Sequence, residues 1–358
     1  VAYSQPQSVH PDVRGATRPA QILIIDDSLV ARSVLGRMVS SSGRFQVAAA
    51  LGNVPAALDY LQANRVDLIL LDIDMPGIDG LTALPDVIVA GRGAKVLIVS
   101  SSADEGAAVS VQALALGAAD TLVKPGIGAF GGRFSDILSE RLARLLDYPA
   151  EVSAPATTSQ GPVPAPGDFD VVAIGASTGG IHALGHLLRG IPQHFRVPIL
   201  VTQHLPISFM SYFAAQLAVL GGRPCDVATD RMRLRPGRII IAPGDAHMRV
   251  ARMTDGVAIR LTEEKSRSGC MPSVDPMFET IAEVFGARAL GVVLSGMGRD
   301  GSEGAKLLFE RGGRVFVQDR ETSVVWGMPG AVAKGGYATA VLPPDEIGQL
   351  IARGGRPA

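Results

Sequence analysis

The chain has 358 residues, 47% of them apolar, which is enough to fill the cores of two ordinary domains. Lys and Arg number 33 against 34 Asp and Glu, a balance that excludes a nucleic-acid or anionic-membrane binder working through bulk charge. Two cysteines, Cys225 and Cys270, make neither a disulfide framework nor a metal cluster, and no apolar run approaches the ~20 residues of a membrane span, so a cytoplasmic protein without membrane insertion is expected.

Residues 1–19 show no apolar periodicity, are too polar for a signal peptide, and are expected to form a flexible arm. From 20 to 146, apolar runs (Ile22–Ile25, Phe45–Ala49, Leu68–Leu71, Val96–Val99, Thr121–Val123) alternate with helical stretches such as Ser28–Ser40, Val54–Asn64, Ala107–Gly117 and Arg133–Leu146. Five strands alternating with helices predict a doubly wound parallel α/β domain with its site at the carboxyl ends of the strands. Residues 147–167 carry five prolines and little that packs, the composition of an extended linker. The alternation resumes over 168–358 as a second α/β domain, with strands at Val171–Ile174, Ile199–Thr202, Leu290–Leu294 and Arg314–Gln318. Its helices are expected at Ile181–Leu188, Phe209–Leu220, Pro276–Phe285 and Ser302–Arg311. Between them, Arg238–Ile241, Met248–Arg252 and Val257–Leu261 read as an antiparallel, hairpin-like element.

In the first domain Asp26 and Asp27 end the first strand and Asp72 the third, so parallel topology should gather three carboxylates on one edge. Such a cluster is costly without a divalent cation, and its hard oxygens suit Mg²⁺. Ser100 ends the fourth strand and Lys124 the fifth. A hydroxyl and an ammonium beside an acidic pocket are what an acyl-phosphate needs: an attacking carboxylate, counter-charge for the phosphoryl group and a hydrogen-bond donor to it. Helix capping would account for a single strand-end Asp, but not for Lys124.

These residues sit in IDDS (25–28), LLDIDMPGIDG (70–80), IVSSS (98–102) and LVKP (122–125), which together resemble the receiver domain of bacterial two-component response regulators over residues 20–145. The resemblance implies a flavodoxin-like fold, phosphorylation at Asp72, and Mg²⁺ held by Asp26, Asp27 and Asp72 with the backbone carbonyl of Asp74. It also implies Ser100 and Lys124 as switch residues. Thr121 stands where many receivers carry an aromatic switch residue.

Three loops of the second domain carry candidate chemistry. Gly175-Ala-Ser177-Thr178-Gly179 has the pattern of a nucleophile elbow, Gln203-His204-Leu205-Pro206 follows the next strand, and Ser295-Gly296-Met297-Gly298-Arg299-Asp300-Gly301 follows a third. One reading is a simple turn in which Ser177 or Thr178 caps a helix. A second takes Gly296, Gly298 and Gly301, with Asp319 beyond the next strand, as a dinucleotide fingerprint, although Asp300 inside it would repel a pyrophosphate. A third brings Ser177, His204 and Asp300 to one edge as nucleophile, base and orienting acid, with backbone N–H groups around Met297 as an oxyanion site. His182 and His186, at metal-ligand spacing on one helix, lack a third ligand and read as ordinary helix residues, and a structural role for His247 weighs at least as much as a place lining the site.

IGASTGG (174–180), TQHLP (202–206), APGDAHM (242–248), PSVDPMF (272–278), SGMGRDG (295–301) and WGMPG (326–330) resemble the chemotaxis protein-glutamate methylesterases over residues 168–352. Receiver, linker and this domain reproduce that family's layout. The resemblance implies a Rossmann-like hydrolytic domain with Ser177 as nucleophile, His204 as base and Asp300 as orienting acid, and no cofactor for the ester hydrolysis. It implies glutamate methyl esters on chemoreceptors as substrate, receptor glutamine deamidation as a second activity, and a chemotaxis histidine kinase as phosphodonor. The receiver is expected to cover the site until it is phosphorylated. A receiver fused to a nucleotide-binding oxidoreductase, or a non-enzymatic phosphorylation-regulated scaffold, would be the alternatives; NADH binding and a serine-reactive probe separate them.

Overall fold

Apolar runs too short for helices alternate with longer amphipathic stretches, and in the computed structural model this alternation becomes two parallel sheets. The described residues are 18–100, 106–124, 132–146 and 169–354. The expected arm up to residue 17, the linker at 147–167, and Ser101, Ser102 and Pro125 of the receiver-like motifs lie outside them.

The first sheet is built from β1 (Ala20–Ile25), α1 (Leu29–Ser41), β2 (Phe45–Leu51), α2 (Val54–Ala63), β3 (Leu68–Leu71), α3 (Gly80–Gly91), β4 (Lys95–Ser100), α4 (Gly106–Leu116), β5 (Asp120–Val123) and α5 (Gly132–Leu146). Its strands pair in parallel in the order β2-β1-β3-β4-β5, the flavodoxin-like order, which reverses between β1 and β3. β3 is buried at all four residues because helices cover both faces. Side chains start the helices where the sequence offers oxygen: Ser28 Oγ accepts the Ala31 N–H at 3.2 Å and Asn53 Oδ1 that of Ala56 at 2.9 Å. Helix α3 was not among the stretches read from sequence, because Pro85 lies inside it and proline ordinarily breaks a helix.

The second sheet is built from β6 (Val171–Ala176), α6 (Gly180–Arg189), β7 (Ile199–Gln203), α7 (Met210–Gly221), β8 (Cys225–Val227), β9 (Ile239–Ile241), β10 (His247–Met253), β11 (Gly256–Thr262), α8 (Asp275–Phe285), β12 (Ala289–Val293), α9 (Ser302–Glu310), β13 (Arg314–Gln318), α10 (Met328–Lys334), β14 (Ala340–Leu342) and α11 (Pro344–Gly354). Seven strands pair in parallel in the order β14-β13-β12-β6-β7-β9-β8. The antiparallel element is the hairpin β10–β11 alone. Arg238–Ile241 does not belong to it: Ile239–Ile241 joins β7 and β8 as a strand buried on both faces, which three consecutive isoleucines fit better than an exposed hairpin does. The short β8 and β14 are three residues each, too short to register as periodic runs.

The two sheets are joined through helices. Helix α4 packs on α6, α7 and the 3₁₀ turn Ile207–Phe209, and Leu114 and Ala118 belong to the same buried apolar cluster as Ile181 and Leu184. The His182 imidazole meets the Ala115 carbonyl across this boundary at 3.1 Å. The contact is mostly apolar, so water exclusion rather than a charge pattern holds it.

Candidate active site and acidic pocket

The acidic pocket forms at the carboxyl ends of β1, β3 and β5. One carboxylate oxygen each from Asp26, Asp27 and Asp72 lie within 4.8 Å of one another, with Asp26 and Asp72 buried and Asp27 exposed. Lys124 Nζ reaches Asp26 Oδ2 and Asp72 Oδ2, each at 2.7 Å. Burial raises the Asp72 carboxyl above its ordinary value, Lys124 pulls it back down and the Asp26 charge adds to the rise. For Lys124, burial works against the charged form, but the two carboxylates hold its ammonium above the usual value. Three carboxylates facing one ammonium leave an uncompensated negative centre of hard oxygens, a donor set that fits Mg²⁺. Ser100 is buried at the end of β4, its carbonyl accepting the Lys124 N–H at 2.7 Å, and Asp74 is exposed on the loop after β3. That loop is tight: a Cβ on Gly80 would fall 1.9 Å from the Asp72 carbonyl oxygen, so only glycine fits there.

In the second sheet Ser177 follows β6, His204 follows β7 and the loop bearing Asp300 follows β12; these are adjacent strands in the order β12-β6-β7. Ser177 and His204 line one cavity of about 240 Å³. His204 Nε2 lies 2.7 Å from Asp300 Oδ2. Asp300 is buried, and it also accepts the Ser273 hydroxyl at 2.6 Å and the Val274 N–H at 2.8 Å. Burial alone would push its carboxyl up, but the bonds from His204, Ser273 and Val274 outweigh it and hold the group well below the usual carboxylate range. A carboxylate fixed in this way accepts a proton-bearing Nε2, which leaves His204 Nδ1 as the basic nitrogen. The familiar serine-protease arrangement uses the two ring nitrogens the other way round. Ser177 Oγ makes no hydrogen bond among the described residues; it shares the cavity wall with His204 instead.

The glycines of this region are explained by contact. A Cβ on Gly296 would meet Met328 Sδ at 2.4 Å and Ser177 Cβ at 2.9 Å, so the third loop touches the serine directly. Of the fingerprint glycines, Gly296 packs against the serine loop and α10 and Gly301 against Val274, and Asp319, the expected ribose ligand, accepts the Thr322 N–H at 3.0 Å within its own turn. Met297 is partly exposed, and its N–H has no acceptor among the described residues.

Several residues without an assigned role in the sequence reading complete the site. Ser273, Val274 and Asp275 lie in PSVDPMF, a stretch whose spacing assigns none of them a role. Asp275 accepts the Gly304 N–H at 2.8 Å, and burial, joined by the Asp300 charge, pushes its carboxyl up to about 7. His247 is fully buried; its Nδ1 accepts the Ser273 N–H at 2.9 Å and its Nε2 donates to the Glu264 carbonyl at 2.7 Å. It thereby fixes the serine that fixes Asp300. Gln203 Nε2 donates to the Ser177 carbonyl at 2.9 Å. His182 and His186 make no metal site: one meets Ala115, the other lies 3.2 Å from Asp345.

The same cavity is walled on its far side by the first domain, through Leu114, Ala119, Asp120, Arg141 and Arg144. Asp120 and Arg141 are themselves ion-paired.

Comparison with known proteins bears on both sheets. Residues 172–351 match the family described as CheB methylesterase, and residues 22–128 match the response regulator receiver domain. A protein-glutamate methylesterase/protein-glutamine glutaminase of Azospirillum brasilense is 36% identical, over 96% of this chain and 94% of its own length. Another so named, from Caulobacter vibrioides, is 40% identical over 93% of this chain and 98% of its own. Among solved structures, the CheB methylesterase catalytic domain of Thermotoga maritima is similar with a TM-score of 0.50 at 36% identity, covering 51% of this chain and 98% of that one.

The opposed carboxyls make a test by pH. Asp275 is raised, so its contribution to stability is present below an ordinary carboxylate value of about 4 and is lost as pH rises through about 7. Asp300 is lowered and contributes stability across that range, losing it only in strong acid. Asp275→Asn should therefore gain thermal stability relative to the parent between pH 5 and 8, by thermal unfolding followed at several pH values. A difference in Tm that does not change with pH would contradict the assignment.

Proposed function

Because the chain belongs to the CheB methylesterase family and carries a receiver domain ahead of the catalytic one, we propose that it is a phosphorylation-gated serine hydrolase acting on glutamate methyl esters of chemoreceptors. The observation that carries the reading is the 2.7 Å contact of a buried Asp300 with His204, which lines the same cavity as Ser177. Ser177 Oγ attacks the ester carbonyl and His204 Nδ1 takes its proton. Asp300 holds Nε2–H and stabilises the imidazolium, while the free Met297 N–H faces the developing oxyanion. His204 then returns the proton to the leaving methoxide and methanol departs. Water, activated by the same nitrogen, releases the glutamate and regenerates Ser177. With a glutamine side chain the leaving group is ammonia, which accounts for deamidation as the second activity.

In the receiver, Asp72 takes the phosphoryl group from a chemotaxis histidine kinase. Asp26, Asp27 and Asp72, with the backbone carbonyl of Asp74, would hold Mg²⁺, whose charge, when bound, balances the carboxylates and the phosphoryl oxygens. Ser100 and Lys124 are the switch residues: Ser100 ends the strand before α4 and Lys124 directly follows the strand before α5, and these two helices contribute Leu114, Arg141 and Arg144 to the wall over Ser177. Drawing both strand ends toward a new phosphoryl group biases the placement of that wall, and the site is exposed by a shift between two arrangements.

Methanol release from methylated receptor membranes tests the chemistry. Ser177→Ala and His204→Ala should each lose about 10³-fold or more, the double variant should be no worse than either, and Thr178→Ala should keep most activity. Activity retained by Ser177→Ala would refute the nucleophile. Gating is tested without truncation. Leu114→Asp places a charge in the apolar contact, so the unphosphorylated full chain should gain roughly tenfold in activity and respond little to a phosphodonor. Asp72→Asn should stay at the unstimulated level with a phosphodonor present. An unchanged Leu114→Asp variant would mean that the contact does not repress the enzyme.

A further inference from the structure

Cys270 takes no part in the hydrolysis described above, yet it stands inside the site. Its Sγ, one nitrogen of His204 and one carboxylate oxygen of Asp300 all lie within 4.8 Å of one another. Thiolate, imidazole and carboxylate together make a three-ligand set with a fourth position open, the donor combination that borderline-soft divalent cations favour over Mg²⁺. We propose that His204, Cys270 and Asp300 bind Zn²⁺ or a similar cation, and that its occupancy holds the hydrolytic centre inactive. Binding rests on the geometry alone; only its inhibitory consequence rests on His204 being the base.

The geometry requires a small adjustment. In tetrahedral zinc with bonds of about 2.0–2.2 Å, nitrogen and oxygen ligands stand about 3.3 Å apart. For ligation through His204 Nε2 and Asp300 Oδ2, the 2.7 Å hydrogen bond between them opens by roughly half an ångström. His204 is able to yield, since its side chain is 17% exposed and lies on a loop, whereas Asp300 is fixed by Ser273 and Val274. Burial and the charges of Asp300 and Asp275 keep the Cys270 thiol protonated in the metal-free protein. A cation reverses that preference, so binding releases the thiol proton, while the proton that His204 carries on Nε2 moves to Nδ1 and leaves a neutral ring as the ligand. With the metal in place His204 loses the carboxylate that orients it. The Cys270 position thereby makes the esterase sensitive to free zinc by a route independent of phosphorylation.

The test uses the full chain stripped of metal, with Mg²⁺ in excess to fill the acidic pocket, and Co²⁺ as the spectroscopic probe. Thiolate ligation should give a near-ultraviolet sulfur-to-cobalt charge-transfer band saturating at one equivalent. Cys270→Ala should abolish the band, and Cys225→Ser should retain it. In the methanol assay Zn²⁺ should inhibit the parent, while Cys270→Ala should match its metal-free activity and need at least about tenfold more zinc for the same inhibition. Absence of the band, its persistence in Cys270→Ala, or equal zinc sensitivity of the two proteins would overturn the proposal. If no protein released methanol, the hydrolase reading would fail, and the cobalt band would still decide the metal site.

Discussion

The constraint on which the second domain depends is a buried carboxylate. Asp300 cannot stay charged beneath the surface without donors, and three reach it: the His204 ring, the Ser273 hydroxyl and the Val274 N–H. They come from two segments, the loop after β7 and the residues just ahead of α8. His204 is set by the end of β7, Val274 by the start of α8, and Ser273 by the fully buried His247, which is anchored in turn on Glu264 beyond the hairpin. The hairpin, which stands outside the parallel sheet, thus has a place in the chemistry. It supports the shell that keeps Asp300 ionised and His204 in one tautomer. Asp275 bears the cost of that arrangement, since a second carboxyl beside Asp300 is driven toward neutrality by burial and by its neighbour's charge.

The first domain repeats the problem with another solution. Asp26, Asp27 and Asp72 crowd one edge, and a single ammonium, Lys124, bridges two of them. Such a pocket is poised for added positive charge and for a phosphoryl group, and its two strand-end residues, Ser100 and Lys124, lead into the helices that stand over Ser177. The coupling needs no long chain of contacts. The elements that would feel phosphorylation are those that close the cavity, and the contact they make belongs to one buried apolar cluster.

Much of this was legible in the sequence because strand ends in parallel sheets are predictable. Once Leu68–Leu71 and Ile22–Ile25 read as neighbouring buried strands, the Asp residues that follow them had to meet. The same logic brought Ser177, His204 and Asp300 to adjacent strand ends. What periodicity does not carry is contact between segments with no regular pattern. Ser273, Val274 and Cys270 lie in a loop whose only signal was a run of residues without an assigned role. Helix α3 is hidden by Pro85, and β9 reads as part of the antiparallel element because it precedes the hairpin closely in sequence, although its three isoleucines fit a strand buried on both faces. The choice of Nε2 rather than Nδ1 as the nitrogen facing Asp300 depends on side-chain direction, which spacing does not encode.

The central claim, that Ser177 is an activated nucleophile shielded by the receiver, is tested most directly by labelling the full chain with a fluorophosphonate probe and mapping the modified residue by mass spectrometry, with and without a small phosphodonor. The account predicts modification at Ser177 alone, abolished by His204→Ala and accelerated by the phosphodonor. Labelling at Thr178 or elsewhere, or a rate at Ser177 that phosphorylation leaves unchanged, would contradict it.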